Sequence, residues 1–240
     1  TAYEIRLSLV GSEMCIRDRV NRLASPGRYR ALTALMLLGP GTPMLFQGQE
    51  FAASSPFLYF VDHEPSLSKL VSAGRKTFLS QFPGLALPEI QKRLPEPGDL
   101  STFERCKLDL GERERHAEAY ALHRDLLALR RDDPVIASQA AGGVDGAVLG
   151  TSVFALRLFG LKGDDRLLLC NLGTDLSLRP MPEPLMAPPE GRRWRLIWSS
   201  EDPRYGGTGT LEQDVGATWQ IAGEAFVVLG TRPVEGEEHA

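Results

Sequence analysis

Asp133-Pro134 divides the chain into two kinds of sequence, and this division constrains the fold more than any other feature. Upstream, apolar residues recur at helical spacing. Downstream, they alternate along short runs with Gly and Pro in the gaps. Proline pushes the residue before it out of the helical region, so Asp133 must end the helix that leads into it. The expected fold class is therefore α/β plus all-β, in that order.

The upstream part opens with a helix. Ser25 is a candidate cap, and Pro26 suits the first helical position because its missing N–H would be unpaired there in any case. Tyr29, Leu32, Leu35 and Met36 follow at helical spacing, and Gly39-Pro40 stops the run. Next, Met44-Leu45-Phe46 is a short apolar run bounded by Pro43 and Gly48. That pattern predicts a buried parallel strand covered on both faces. A helix feeding such a strand is the rhythm of a (β/α)8 barrel. Residues 47–63 then read as a loop leaving the strand's C-terminal end, where such barrels carry their active sites. Without its barrel neighbours, the strand would expose edges and apolar faces, so weak hydrogen-exchange protection is expected at Met44–Phe46. A second helix is expected over Arg115–Arg131. Ala119, Leu122, Leu126 and Leu129 form one face, and Arg130-Arg131 sit at the negative end of its dipole. Between the helices runs a long connector, 82–111, with Pro83, Pro88, Pro95 and Pro97.

Downstream, strands are expected over 148–159, 166–172, 194–198 and 225–229, with a short one at Trp219-Gln220-Ile221. They form a small antiparallel β-sandwich able to fold alone, with Trp194 and Trp198 on one strand face and inside its core. The five prolines of Pro180–Pro189 make an extended loop. The expected domains are 20–134, the C-terminal end of a barrel, and 135–232, the sandwich, followed by an acidic tail at 233–240. Residues 1–19, TAYEIRLSLVGSEMCIRDR, resemble translated sequencing-adapter read-through and are set aside as a non-native segment.

Composition closes off several functions. The chain has 240 residues, short for a complete barrel of about 250. Net charge is -4 and the basic residues are not massed, which disfavours a nucleic-acid role. No apolar run reaches the roughly 20 residues of a membrane span. Cys15, Cys106 and Cys170 are odd in number and far apart, which suits a reducing cytoplasm better than a disulfide framework. His116 and His123 are too far apart on one helix for a two-ligand metal site. Gly206-Gly207 with Gly209 lacks the strand–helix context of a phosphate loop. No metal or cofactor is expected.

The run GTPMLFQGQEFAASSPFLYFVDH, Gly41–His63, carries a resemblance. Pro43, the apolar run, Gly48 and Glu50 are similar to the last barrel strand of the alpha-amylase superfamily. Pro56-Phe57-Leu58-Tyr59-Phe60 with Asp62-His63 narrows the resemblance to malto-oligosyltrehalose trehalohydrolases. Further matches are Lys107-Leu108-Asp109, Leu129–Pro134, Asp145-Gly146-Ala147-Val148, Trp198-Ser199-Ser200-Glu201 and Arg204-Tyr205-Gly206-Gly207. Together they cover Val20 to Arg232. Leu110 departs from the aromatic expected after Lys-Leu-Asp. The family's Asn-His-Asp-Gln motif, due just before Asn21-Arg22, is not found there, so its role is not carried onto Asp18.

The resemblance implies a retaining glycoside hydrolase that cuts the alpha-1,4 bond next to the terminal trehalose of malto-oligosyltrehalose. Such chemistry needs two carboxyl groups about 5–5.5 Å apart and no metal. In the family both lie on earlier barrel strands, so this chain is expected to be an inactive C-terminal fragment with no catalytic residue of its own. The resemblance also implies association with a malto-oligosyltrehalose synthase. Candidate substrate-binding residues are Glu50, Phe51, Tyr59, Asp62 and His63. Glu50 is either a subsite residue or a structural carboxylate, and His63 meets a sugar hydroxyl or braces its loop. Of Phe51, Phe57 and Tyr59, at least two are expected in the core, with Tyr59 the best stacking candidate. Two alternatives stand beside this reading: a branching or debranching enzyme of the same superfamily, and a noncatalytic carbohydrate-binding module, which would need exposed aromatics on the sandwich.

Overall fold

The computed structural model describes residues 19–83, 85–139, 141–178, 183–210 and 219–234. Residues 1–18, most of the acidic tail and part of the proline-rich loop lie outside them. Helices α1 (Val20–Leu23), α2 (Pro26–Leu38), α3 (Pro65–Leu79), α4 (Pro88–Gln91), α5 (Leu100–Glu104), α6 (Glu112–Arg115), α7 (Ala117–Asp132) and α8 (Pro134–Ala137) precede strands β1 (Val144–Gly150), β2 (Val153–Leu158), β3 (Arg166–Asn171), β4 (Leu176–Leu178), β5 (Arg192–Ser199), β6 (Trp219–Ile221) and β7 (Ala225–Pro233). No helix among the described residues is long and apolar enough to cross a membrane. The chain divides into two units: residues up to Leu23 with Ala52–Arg115, and Ala24–Phe51 with everything from His116 on.

The second unit is built on one antiparallel sheet of order β1-β2-β3-β7-β5. The expected single strand over 148–159 is two, β1 and β2, because the chain turns at 151–152 and Ala147 pairs with Ala155. β3 and β7 lie at the centre, and β3 is buried along its whole length. One sheet face carries Val153, Ala155, Leu167, Leu169, Val227 and Leu229, and Trp194 packs with them. The ribbon β4-β6 covers this face, contributing Trp219 and Ile221. The other face holds Leu158, Leu168, Cys170, Phe226 and Val228, all buried, and α2 packs on β7 there. So the antiparallel part is as expected, but its sheet is covered by a ribbon on one face and by helices on the other. α2 lies against β7 and β3, and α7 against the turn Pro203–Tyr205.

The expectation for the two tryptophans is corrected by a β-bulge between Leu196 and Trp198. The extra residue flips the strand, so Trp194 pairs across from Thr231 on the ribbon-covered face while Trp198 pairs with Val228 on the helix-covered face. Trp198 then stacks on Tyr205 at 5.6 Å and donates to its hydroxyl at 3.1 Å. Tyr205 in turn donates to Asp125 of α7 at 2.9 Å. Ile197, left over at the bulge, occupies the space above Gly230.

Charged groups fix the helices to the sheet. Arg30 of α2 donates to Glu201 at 2.7 Å and to the Gly206 carbonyl at 3.2 Å, with both side chains under one-tenth exposed. Gly207 is needed here because a Cβ would meet the Glu201 backbone at 2.3 Å. Arg130 of α7 donates to the carbonyls of Leu37, Gly39 and Gly41, closing the C-terminal end of α2. Ser25 does not cap α2 through its side chain, since its hydroxyl is given to Glu224 at 2.6 Å.

Met44–Phe46 is not a strand. It joins no β-ladder among the described residues, and Met44 is 87% exposed. The Phe46 N–H goes to the Gln49 side chain and its carbonyl accepts from Gln49 N–H, so the backbone turns instead of forming a ladder.

In the first unit, α3 was not anticipated. Its start signal was Pro65 at the first helical position, and its 15 residues bury Leu79 against Leu85, with Phe82, Ile90 and Leu94 around them. The 82–111 connector contains α4 and α5, the latter capped by Asp99, which accepts from Ser101 N–H.

Truncating one partner of the Arg30–Glu201 pair leaves a buried charge uncompensated. Glu201→Ala is expected to lower unfolding free energy by about 3–5 kcal/mol. Urea unfolding followed by tryptophan fluorescence reads it, and a loss under about 1 kcal/mol would place the pair in the class of solvated surface bridges.

Candidate functional site

The five residues singled out in the sequence fall into both units. Glu50 and Phe51 belong to the second, and Tyr59, Asp62 and His63 to the first.

Gly48 has φ +78, a conformation that favours glycine, and turns the chain into the 3-10 turn Gln49–Phe51. Two side chains hold that turn by its carbonyls: Tyr29 donates to Gln49 at 3.3 Å, and His116 Nδ1 lies 3.0 Å from the Phe51 oxygen. Phe51 is wholly buried and offers no ring face to a ligand. Its assignment to substrate binding is corrected: the same turn that presents Glu50 drives its neighbour into the core.

Glu50 sits half-buried with its charge felt by Tyr29 and His123. Burial first, then this carboxylate, pushes the Tyr29 phenol up to about 12. Burial also pulls His123 below the usual histidine range, against a smaller opposing pull from Ala119 and Glu50. His123 is 1% exposed; its Nδ1 lies 2.9 Å from the Ala119 carbonyl and its Nε2 has no partner. The ring is thus a neutral donor to its own helix.

Tyr59 lies in an extended segment anchored on either side. The Leu58 N–H donates to Cys106 Sγ at 3.1 Å, and the Val61 N–H to the Pro97 carbonyl at 2.9 Å. Leu58 is buried, and Tyr59 remains 44% exposed with the Arg75 guanidinium over its ring at 4.3 Å. The ring borders a small open cleft that Leu58, Leu79, Leu94, Ser72, Arg75 and Lys76 help to line. Asp62 and His63 are exposed in the stretch ahead of α3. Glu64 accepts from Ser66 at 2.7 Å, so this acid braces the helix start. Phe57 packs edge-on to Phe60, which packs edge-on to Phe103, forming a partly exposed aromatic row. Ser72, Arg75 and Lys76 were not anticipated as site residues. The signal available was their spacing on a helix whose start at Pro65 was itself unread.

Both tryptophans of β5 are buried, Trp194 with its Nε1 donating to the Met186 carbonyl at 2.8 Å. The aromatic platform on the β part that a noncatalytic binding module would need is not found among the described residues. Neither is any group of three or more metal-ligating side chains.

The fold has solved counterparts. A Salmonella typhimurium protein assigned as an alpha amylase superposes with a TM-score of 0.66 at 23% identity, covering 92% of this chain and 34% of that one. Pullulanase type I from Bacillus subtilis does so with a TM-score of 0.52 at 18% identity, covering 85% and 23%. These likenesses define the class as the alpha-amylase type of fold. A sequence family described as a domain of unknown function, DUF3459, matches residues 141–219. Malto-oligosyltrehalose trehalohydrolase of Deinococcus radiodurans is 42% identical over 153 residues, 61% of this chain and 24% of that protein. Those of Arthrobacter ramosus and Mycobacterium tuberculosis are 40% and 38% identical over 124 and 139 residues, 50% and 57% of this chain and 20% and 23% of those proteins. Over these stretches the chain is similar to malto-oligosyltrehalose trehalohydrolases. Its matched part spans about a quarter of the length of these relatives.

The neutral, buried His123 makes a pH prediction. Its folded-state pKa is depressed, so the unfolded chain binds the proton more readily. Its contribution to stability is constant above the ordinary histidine range and falls as pH drops below about 6.5, by at most about 1.4 kcal/mol per pH unit. Urea midpoints between pH 7.5 and 5.5 should fall less steeply for His123→Leu than for the parent chain. Equal slopes would show that His123 protonates freely in the fold.

Proposed function

We propose that the chain is the C-terminal part of a glycoside hydrolase that cleaves the alpha-1,4-glucosidic bond next to the terminal trehalose of malto-oligosyltrehalose. The observation that carries this reading is the shared identity of 37–42% with curated malto-oligosyltrehalose trehalohydrolases, over as much as 61% of the chain. On this reading, 20–134 is the end of the catalytic barrel, with its nucleophile and acid/base carboxylates on strands upstream of it, and 135–232 is the C-terminal β domain. Two carboxyl groups about 5–5.5 Å apart, one attacking the anomeric carbon and one protonating the leaving oxygen, would do the chemistry. The present chain contributes binding: Tyr59 as a stacking platform, Asp62 and His63 as hydroxyl partners from the exposed stretch before α3, and Glu50 as a subsite carboxylate. The whole enzyme would work in the cytoplasm beside a malto-oligosyltrehalose synthase, whose product is its substrate.

The resemblance in Phe57–His63 favours this reading over a branching or debranching enzyme. Trehalose release from malto-oligosyltrehalose, measured for this chain and for a version extended upstream through the barrel, tests it. Release by the extended version alone is the expected result. Release by the 240-residue chain would place the catalytic carboxylates within it, and no release by either would remove the assignment.

A further inference from the structure

In the second unit, Arg30, Arg157 and Arg166 meet carboxylates in the interior, and Arg28 and Arg204 do so at the surface. Helix α3 of the first unit is different. Lys69, Arg75 and Lys76 line the two open clefts along it, and Glu96 is the one carboxylate among the lining residues. This excess of cations stands on a chain whose net charge is -4. We propose that the Lys69–Lys76 face of α3 is a binding site for a phosphate dianion, either free or carried as a monoester on a small molecule. This site goes beyond the glycosidase reading and does not depend on it.

Lys69, Ser72 and Lys76 stand at i, i+3 and i+7 on α3 and so share one side of the helix, with Ser68 next to Lys69. At about 1.5 Å per residue, the Cα atoms of the two lysines are roughly 10 Å apart. Their flexible four-carbon stems can bring both ammonium groups to one anion. An oxyanion is already held at this face. The Glu96 carboxylate accepts from the Lys76 ammonium through one oxygen and from the Ser72 hydroxyl through the other, and these partners hold its carboxyl below the usual carboxylate range. Towards the start of the helix, Lys69 and Ser68 offer the same two groups, an ammonium and a hydroxyl. Lys69 is exposed and forms no ion pair among the described residues. Gly98 on the facing wall leaves room for the Ser68 hydroxyl, which a Cβ there would strike. A carboxylate brings one charge and satisfies one of the two lysines. A phosphate monoester brings about two charges and three strong acceptor oxygens, so it can engage both lysines and a serine hydroxyl together. Arg75, over the Tyr59 ring at 4.3 Å, adds positive potential from the adjoining cleft. Glu96 opposes the ligand as a like charge, but its bond to Lys76 is exposed and therefore weak enough to exchange.

The test is titration of inorganic phosphate, and separately of phenyl phosphate, into the 240-residue chain at slightly alkaline pH and constant ionic strength, read by amide chemical shifts. Saturable shifts are expected at 68–76 and 96–98. Tighter binding of phenyl phosphate would identify the occupant as a monoester whose body reaches Leu58, Leu79 and Leu94 in the adjoining cleft. Equal or weaker binding would identify it as free phosphate. Lys69→Gln should weaken binding about fivefold, and Glu96→Gln should strengthen it about threefold. Opposite signs from two surface substitutions are not what a loss of folding produces. Lys69→Gln removes no ion pair of the fold and carries the test if Glu96→Gln disturbs α3. The proposal is overturned if neither ligand gives a saturable shift along α3, or if sodium chloride of the same ionic strength gives the same shifts. It is overturned equally if Lys69→Gln binds as the parent chain does, or if a folded Glu96→Gln binds more weakly. Trehalose release by the extended enzyme bears on none of these outcomes, so this site and the glycosidase reading stand or fall separately.

Discussion

Asp133 is where the helical and β parts of the second unit are tied together. Its backbone N–H returns to Leu129 at the end of α7, and one carboxylate oxygen accepts from Val135 and Ile136 at the start of α8. The other oxygen accepts from Arg166 Nε at 2.8 Å, with both side chains under one-tenth exposed. One residue therefore ends a helix, starts the next and holds the first residue of a central strand. Pro134 makes the end of α7 obligatory, and Arg166 fixes where that end must lie against the sheet. The Tyr205–Asp125 bond then secures α7 further along, and the Arg30–Glu201 pair secures α2. Each of these charges is shielded from water and would be costly unpaired, so they define one packing of helix on sheet more than they add to its free energy.

This explains why so many motifs that carry the family resemblance are structural. Leu129–Pro134 contains the Arg130 clamp and Asp133. Trp198–Glu201 and Arg204–Gly207 supply the stacked Trp198–Tyr205 pair, the partner of Arg30 and the close approach at Gly207. Asp109 accepts from Gly111 N–H and pairs with Arg115, closing the loop into α6. Similarity along these segments speaks for a shared scaffold. On the proposed reading, what is specific to sugar binding is to be sought in the stretch from Pro56 to His63.

Much of the fold was legible in the sequence. α2 and α7 follow from helical periodicity between Pro and Gly stops, and β3, β6 and β7 from apolar runs that sit centrally or alternate. The misreadings have common physical causes. Alternation cannot reveal a bulge, so Trp194 and Trp198, four residues apart, were assigned to one face when Ile197 separates them onto two. An apolar run does not say whether partner strands are at hand, so Met44–Phe46 was read as buried. α3 was missed because Leu67, Leu70 and Phe78 stay exposed on it, and an apolar stripe that does not enter a core is hard to tell from noise. At the site, residue type alone put Phe51 and Tyr59 in one list. The Gly48 turn separates their fates by burying one, while the Cys106 and Pro97 anchors leave the other half-exposed.

The electrostatics of the two units differ. In the second unit, Arg30, Arg157 and Arg166 meet carboxylates away from water, and moving any of them would strand a charge. Along α3 the pairing of Lys76 with Glu96 is exposed, where an ion pair is worth at most about 1 kcal/mol. Such a pair can be opened at little cost, whereas the buried pairs cannot. The scaffold is therefore held by charges that must stay where they are.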